Sequence, residues 1–307
     1  MGFRIATNVQ SLNAQRNLTI SNELNNQSME KLSSGFRINK ASDDAAGLAI
    51  SDKLRADYRS LVMARRNAND GISLIQTAEG GLNEIGNILS RLRELSIQGA
   101  SDTIGNTERG FLNKEFTQLK DEINRISKTT EFNGTLLLVG NQDDIDEEIT
   151  KRSNKFPLEL QVGKNYYESA DSLDNINPTN IIRIDFSNVN ASVGVEGLNL
   201  GTSEEDDVTS VSSKEMSQKS IGMIDEAITK VSSYRSTMGA IQSRLNSTIT
   251  QLSIQAENNA ATNSRIRDTD FAEETAKLAQ SNILKQSGVS VLSQSNQIPM
   301  LALRLLG

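Results

Sequence analysis

The chain ends in SRIRDTDFAEETAKLAQSNILKQSGVSVLSQSNQIPMLALRLLG, residues 264–307, and this stretch decides the fold. Its apolar residues recur every seven positions, at Leu284, Val291, Ile298 and Leu305. That spacing places them on one side of a helix. Because Ser, Gln, Asn, Ala and charged residues fill most of the remainder, the stretch predicts a helix with a narrow apolar seam that needs partner helices.

The composition of the 307-residue chain disfavours a compact enzyme. Aromatic residues make up 4%, Trp is absent and the mean hydropathy is -0.42, so large core-filling side chains are few. The sequence also lacks His and Cys. Because these residues supply the commonest metal ligands and thiol nucleophiles, we expect no metal, no cofactor and no catalysis.

Charge and hydropathy disfavour two classes of partner. The net charge is -7, the pI is about 5.0 and no basic block occurs, so nucleic acid is not an expected partner. No run of about 18 apolar residues is present, so membrane insertion is not expected. The N-terminal residues lack the apolar core of a cleavable secretory signal, which leaves non-classical export open.

The longest periodic pattern follows the Ser-Asp-Asp of residues 42–44, which predicts a helix start with a capping serine and acidic residues in the first turn. Apolar or small residues then recur every seven positions to about Gln98. Residues 112–126 and 224–252 carry apolar residues three and four apart. These patterns predict three helices that pack together as a coiled-coil rod. The predicted rod-packing residues are Leu54, Leu61, Ile75, Leu82, Leu89, Val231, Met238, Leu245 and Leu252.

Residues 135–208 have a different composition. The short β-type runs LLLV, FPLELQV, NIIRIDF and VGVEGLNL are separated by Asn, Asp, Gly and Pro, which predicts small hairpins. Two acidic clusters, 143–148 and 204–207, lie in this region. Calcium binding is one interpretation, but neither cluster has the glycine-bent loop and distal Glu of an EF-hand, so solvated turns are favoured.

The N-terminal segment carries a weaker helical pattern, with Ile5, Val9 and Leu12 four and three apart, and it breaks at the Ser-Ser-Gly of residues 33–35. It either frays or becomes ordered only on assembly. Because weak helices flank the predicted rod on both sides, we expect them to pair with each other. The predicted assembly residues are Ile5, Val9, Leu12, Leu284, Val291, Ile298 and Leu305.

The predicted fold is therefore mainly α. Long antiparallel helices form a coiled-coil rod, a small β-hairpin region is inserted in the middle of the chain, and the N- and C-terminal helices are paired.

Six stretches occur in order along the chain. They are SLNAQRNL (11–18), LSSGFRINKASDDAAGLAISDKLRA (32–56), GISLIQTAEGGLNEI (71–85), RLRELSIQ (91–98), EFNGTLLL (131–138) and SRIRDTDFAEE (264–274). In this order they resemble bacterial flagellin, the subunit of the flagellar filament. Because only the short β region lies between the helical parts, the chain resembles the minimal, two-domain type.

The resemblance implies a structural protein that is exported and self-assembles into the extracellular flagellar filament for motility. It implies a terminal coiled-coil domain in the inner filament core (1–44 and 264–307), a helical rod domain (45–134 and 209–263) and a β-hairpin part of the rod domain (135–208). The implied route of secretion is the flagellar type III export apparatus. The implied partners are further copies of the chain, the filament cap and hook-junction proteins, and a flagellin export chaperone at the C-terminal helix.

The resemblance also implies a contact with the vertebrate innate-immune flagellin receptor. The residues that match the family's receptor-binding surface are Arg91, Leu95 and Glu115. Arg91 and Leu95 are four positions apart and share a helix face. The alternative is that Leu95 is buried against a neighbouring subunit while Arg91 pairs with a nearby acidic residue.

Two other functions compete with a filament subunit. A hook–filament junction protein of the same superfamily shares the terminal features. A non-flagellar coiled-coil adaptor or adhesin would explain the periodicity, but not the ordered series of motifs.

Overall fold

The computed structural model describes the backbone of residues 8–140, 156–165, 179–194, 197–201 and 208–306. Side chains are described as far as Gln297. Ile5 and the two acidic clusters lie outside the described residues, and so do the side chains of Ile298 and Leu305.

Helices dominate the described part of the chain. They are α1 (Val9–Ser34), α2 (Ala45–Gly99), α3 (Asn106–Thr129), α4 (Lys214–Arg267) and α5 (Phe271–Leu306). Between α3 and α4 lie the strands β1 (Glu131–Phe132), β2 (Thr135–Leu136), β3 (Leu158–Gln161) and β4 (Ile181–Ile184). The terminal helices α1 and α5 pack along each other. The predicted fold class is confirmed: mainly α, with small β-hairpins in the middle and paired terminal helices.

The chain divides into two compact units. The terminal unit comprises Met1–Tyr58 and Ala256–Gly307, and the central unit comprises Arg59–Gln255. Both boundaries fall inside long helices, α2 and α4. The three-part domain division inferred from the sequence stays a prediction.

The central unit is built around one apolar core. Residues seven apart on α2 and on α4 are buried in it because each helix turns one stripe inward. From α2 these are Ile75, Leu82 and Leu89, and from α4 they are Val231, Met238 and Leu245. Helix α3 adds Phe116 and Ile123, so α2, α3 and α4 share this core. Leu61 and Leu252 are buried as well, whereas Leu54 of the terminal unit is only half-buried.

The start of α2 differs from its prediction. Asp44 Oδ1, not Ser42, accepts a hydrogen bond from the backbone N–H of Gly47 at 2.8 Å, so Asp44 is the capping residue. Asp43 Oδ2 accepts from the backbone N–H groups of Lys40 and Asn39, both at 3.0 Å. Both hydrogen bonds lower the pKa of Asp43, and the one from Lys40 has the larger effect. Ser42, Asp43 and Asp44 all precede the helix, and the two acidic side chains accept hydrogen bonds from the backbone on either side of them.

Two antiparallel hairpins form where β-type runs were predicted. In the first, β1 pairs with β2 across Asn133 and Gly134, whose φ angles of 50° and 80° are those of a two-residue type I′ turn. In the second, β3 pairs with β4, with Leu158 opposite Ile184. The side chains of Ile182 and Ile184 enter the central core.

The run VGVEGLNL contains no strand among its described residues, so it is not part of either hairpin there. Its backbone folds back on itself, because the Gly194 carbonyl accepts hydrogen bonds from the N–H groups of Gly197 and Asn199. Leu198 and Leu200 are nonetheless buried in the central core. The β-type composition of this run is explained by the burial of its apolar side chains and not by strand pairing.

Gly81 of α2 is expected to tolerate a larger side chain poorly, whereas its neighbour Gly80 should tolerate one well. A Cβ atom on Gly81 would lie 2.8 Å from both Leu138 Cδ1 and Thr130 Oγ1. Overpacking of this kind costs about 1–3 kcal/mol, so Gly81→Ala should lower the free energy of unfolding by that amount. Urea unfolding followed by circular dichroism measures the change.

The matched control is Gly80→Ala, because nothing lies within 4 Å of a Cβ atom at Gly80. This change should raise stability by roughly 0.5–1 kcal/mol through helix propensity alone. Equal stabilisation by both substitutions would show that the segments carrying Thr130 and Leu138 do not press against α2.

Candidate assembly surface

Within the terminal unit, hydrogen bonds join α1 and α5 near both ends of the helix pair. Near one end, Asn8 Nδ2 donates to the Ser295 carbonyl at 2.9 Å and Ser11 Oγ donates to Asn296 Oδ1 at 2.8 Å. Nearer the other end, Asn25 Nδ2 contacts Ser281 Oγ at 3.0 Å and Asn282 Oδ1 at 2.8 Å. The start of α1 therefore meets the later part of α5, and the two helices are antiparallel.

Small side chains let the two helices approach closely between these hydrogen bonds. Ala14, Ser28, Ser281 and Ser295 are all buried. A Cβ atom on Gly288 would lie 3.3 Å from Leu18 Cδ1, so the glycine makes room for that leucine. We call this contact, formed by Ser11, Ala14, Leu18, Asn25 and Ser28 of α1 with Ser281, Asn282, Gly288, Ser295 and Asn296 of α5, the polar seam.

Many of the large apolar side chains of the terminal helices lie outside the polar seam. Val9 and Leu12 of α1 are 55% and 58% exposed, and Leu284 and Val291 of α5 are 47% and 56% exposed. The N- and C-terminal helices do pair, as predicted, but not through these apolar residues. Other exposed apolar residues of the two helices are Ile20, Leu24, Met29, Phe271, Ile283 and Val289.

A cluster of contacts ties the end of α1 to the end of α4. Gly35 ends α1 in a left-handed conformation, with φ of 75°. Its carbonyl accepts from the Thr269 N–H at 3.0 Å, and the Arg37 N–H donates to the Arg267 carbonyl at 2.6 Å. The Arg267 guanidinium lies 4.7 Å from the centre of the Phe36 ring, a cation–π contact. We call residues 35–37 and 267–269 the clasp; they fix the points from which α1 and α5 extend.

A groove of about 350 Å³ lies on the α1–α5 pair. Leu24 and Leu284, which are half exposed, line it together with the buried Ser28 and Ser281. Lys277, another lining residue, donates to Glu273 at 2.7 Å, and this hydrogen bond raises the pKa of Lys277. The groove thus combines apolar walls with a polar floor.

The predicted receptor residues belong to the central unit. Arg91 donates to Glu94 at 2.9 Å and to Glu115 Oε1 from Nη2 at 2.9 Å, and these bonds raise the pKa of Arg91. Leu95 is fully buried in the central core of its own chain. Arg91 and Glu115 therefore form an exposed pair between α2 and α3, and Leu95 supports this surface from beneath.

Neither a membrane span nor a metal centre is found in the described residues. No described helix has the length and mean hydropathy needed to cross a bilayer. Within the same ranges, no three Asp or Glu side chains are grouped so that they could hold a metal ion.

A helical core and paired terminal helices that expose apolar side chains are typical of a structural protein that binds other chains. The model of the bacterial flagellin N-terminal helical region matches residues 5–143, and that of the bacterial flagellin C-terminal helical region matches residues 221–306. The chain belongs to the bacterial flagellin family, a family of structural proteins whose members form the extracellular flagellar filament.

Curated relatives match along the whole chain. Flagellin of Halalkalibacterium halodurans is 42% identical over 299 residues, which cover 97% of this chain and 98% of that protein. Flagellin of Bacillus subtilis is 40% identical over 314 residues, covering 99% and 100% of the two chains. Flagellin A of Vibrio cholerae is 37% identical, with both chains fully covered.

Two solved structures are also similar. The crystal structure of Bacillus cereus flagellin has a TM-score of 0.45 at 28% identity and covers 64% of this chain and 94% of that one. A putative flagellar hook-associated protein from Vibrio parahaemolyticus has a TM-score of 0.55 at 14% identity, covering 74% and 100%. The second likeness shows a shared fold alone. Because the full-length sequence relatives are flagellins, the filament subunit stands ahead of the hook-junction alternative.

Proposed function

We propose that α1 and α5 drive polymerisation of this flagellin into the filament through the apolar side chains that they expose. The observation that carries the proposal is the outward position of Val9, Leu12, Leu284 and Val291 on a helix pair whose own contact is polar. Ile5, Ile298 and Leu305 are included as assembly residues from the sequence pattern.

The energetics favour assembly over pairing within a single chain. Ordering a residue costs roughly 1–2 kcal/mol, and hydrogen bonds contribute a net of only about 1 kcal/mol each. The polar seam therefore does little to offset the ordering of two long helices. Burying a Leu or Val side chain contributes about 1.5–3 kcal/mol, and neighbouring copies supply the surface for this burial. Contacts between copies that do not close into a ring produce an open helical fibre.

Seeded elongation tests the proposal directly. Purified full-length protein is mixed with short filament fragments and filament length is measured by electron microscopy. We expect elongation of the full-length chain and none of a chain truncated after Arg267, because truncation removes α5. A truncated chain that elongates, or a full-length chain that stays monomeric beside seeds, would overturn the proposal.

The same exposed residues explain the proposed auxiliary partners. Before export, Leu284 and Val291 need a covering partner, and a flagellin export chaperone at α5 would supply it. At the two ends of a filament, surfaces that are buried elsewhere remain uncovered. The filament cap and the hook-junction proteins would bind these ends.

We also propose that the exposed Arg91–Glu115 pair contacts the host innate-immune flagellin receptor. The pair lies at the surface of the central unit and presents both signs of charge. Leu95, the third residue of the predicted contact, would act by holding α2 in position from beneath.

A further inference from the structure

The polar seam contains a feature that its hydrogen bonds alone do not explain. Positions 11, 18, 25 and 32 of α1 are seven apart and carry Ser, Leu, Asn and Leu. Positions 281, 288 and 295 of α5 are also seven apart and carry Ser, Gly and Ser. Leu18 lies against Gly288, while Asn25 contacts Ser281 and Asn282. Apolar and polar positions therefore alternate along one stripe of α1.

A helix pair with repeating small residues has more than one acceptable register. Sliding α5 along α1 by one heptad, roughly 10 Å at 1.5 Å per residue, brings Ser295 opposite Leu18 and Ser281 opposite Leu32. Such a slip would place Asn25 opposite Gly288, which carries no hydrogen-bonding side chain. The amide of Asn25 would then lose both of its partners on α5.

We infer that Asn25, through Ser281 and Asn282, sets the register of the α1–α5 pair and so determines which apolar residues face neighbouring copies. A single polar residue at a core position of a coiled coil fixes the register at some expense of stability, and Asn25 occupies such a position. Leu at position 25 would make positions 18, 25 and 32 identical. A one-heptad slip would then recreate the observed Leu–Gly288 contact.

Register matters here because the assembly residues are carried by both helices. Val9 and Leu12 are on α1, and Leu284 and Val291 are on α5. A slip by one heptad would displace one set against the other by two helical turns. The inference rests on the proposed function for its biological role, but register itself is measurable in the single chain.

The absence of cysteine from the sequence permits a direct measurement of register. The in-register reporter is the pair Ser11→Cys and Asn296→Cys, because these side chains are 2.8 Å apart. The off-register reporter is the pair Ser28→Cys and Lys285→Cys, which a one-heptad slip would bring together. Each pair is introduced into the full-length chain, and disulfide formation is followed on non-reducing gels.

In the otherwise unchanged chain, only the in-register reporter should form a rapid intramolecular disulfide. With Asn25→Leu, the ratio of off-register to in-register product should rise about thirtyfold, the factor expected for the loss of two net hydrogen bonds. A slip within one chain must also open the clasp, so the rise should be larger for disulfides formed between copies, where the clasp does not join the two helices.

The matched control is Asn26→Leu, which adds the same side chain at the exposed neighbouring position. It should leave the ratio unchanged. Asn25→Ala removes the amide without adding a large apolar group and should raise the ratio by a smaller factor. This variant replaces Asn25→Leu in the test if circular dichroism shows that Asn25→Leu is not folded. An unchanged ratio in the Asn25 variants would overturn the inference, even where the parent chain elongates filaments normally. Failure of the parent chain to elongate would instead count against the proposed function.

Discussion

Replacing Leu284 and Val291 together by serine is expected to stop seeded filament growth at concentrations where the unchanged chain elongates. The side chains are 47% and 56% exposed on α5, so about half of each remains to be buried by another copy. At roughly 25 cal/mol per Å², losing this burial costs about 1–2 kcal/mol per site. The critical concentration should therefore rise about tenfold per site, or roughly a hundredfold for the double variant.

The measurement is the free monomer concentration left at the end of seeded growth. Gln286→Ser is the matched control, because Gln286 is an exposed residue of the same helix and carries no large apolar group. It should leave the critical concentration unchanged. Circular dichroism and urea unfolding should show that the double serine variant folds like its parent. Normal growth of that variant would show that Leu284 and Val291 are not part of the assembly surface.

An apolar series with seven-residue spacing identified the packing face of α2 in the central unit. In the terminal unit it did not identify the face of α5 that contacts α1. In α2, one seven-residue series accounts for the packing, because Ile75, Leu82 and Leu89 all enter the core. In α5 the apolar series containing Leu284 and Val291 predicted the pairing face, yet these residues are exposed. Hydrophobic periodicity identifies a helix face, but not the surface that covers it.

The missed signal was a second series on α5. Ser281, Gly288 and Ser295 are also seven apart, and they lie on the polar seam. Hydropathy gives such residues little weight, whereas close backbone approach and short hydrogen bonds favour them. A search for small residues at heptad spacing would have found this face before the structure did.

Leu95 illustrates a finer limit of helical spacing. Residues four apart share a face only broadly, because each step of four turns about 40° around the helix axis. Arg91 is exposed and bonded to Glu115, while Leu95 is fully buried. The edge of the core passes between them, and its position depends on how α3 packs on α2. The sequence of α2 alone does not contain that information.

Phe116→Ala in α3 is expected to cause the largest loss of stability in the central unit. Phe116 is 1% exposed, belongs to the core shared by α2, α3 and α4, and has Lys120 Nζ 5.9 Å from its ring centre. Truncating a buried Phe removes its transfer free energy and leaves a cavity, which together cost about 3–5 kcal/mol. Urea unfolding should show this loss as a lower midpoint at an unchanged slope.

Phe111→Ala supplies a control with the same chemical change on the same helix. Phe111 is 65% exposed, so its truncation should alter the free energy of unfolding by no more than about 0.5 kcal/mol. Both variants replace Phe by Ala in α3, so the change in composition and helix propensity is the same. The difference between their free energies of unfolding therefore measures the effect of burial. Comparable losses at both sites would mean that Phe111 is packed as deeply as Phe116, and the assigned face of α3 would then be incorrect.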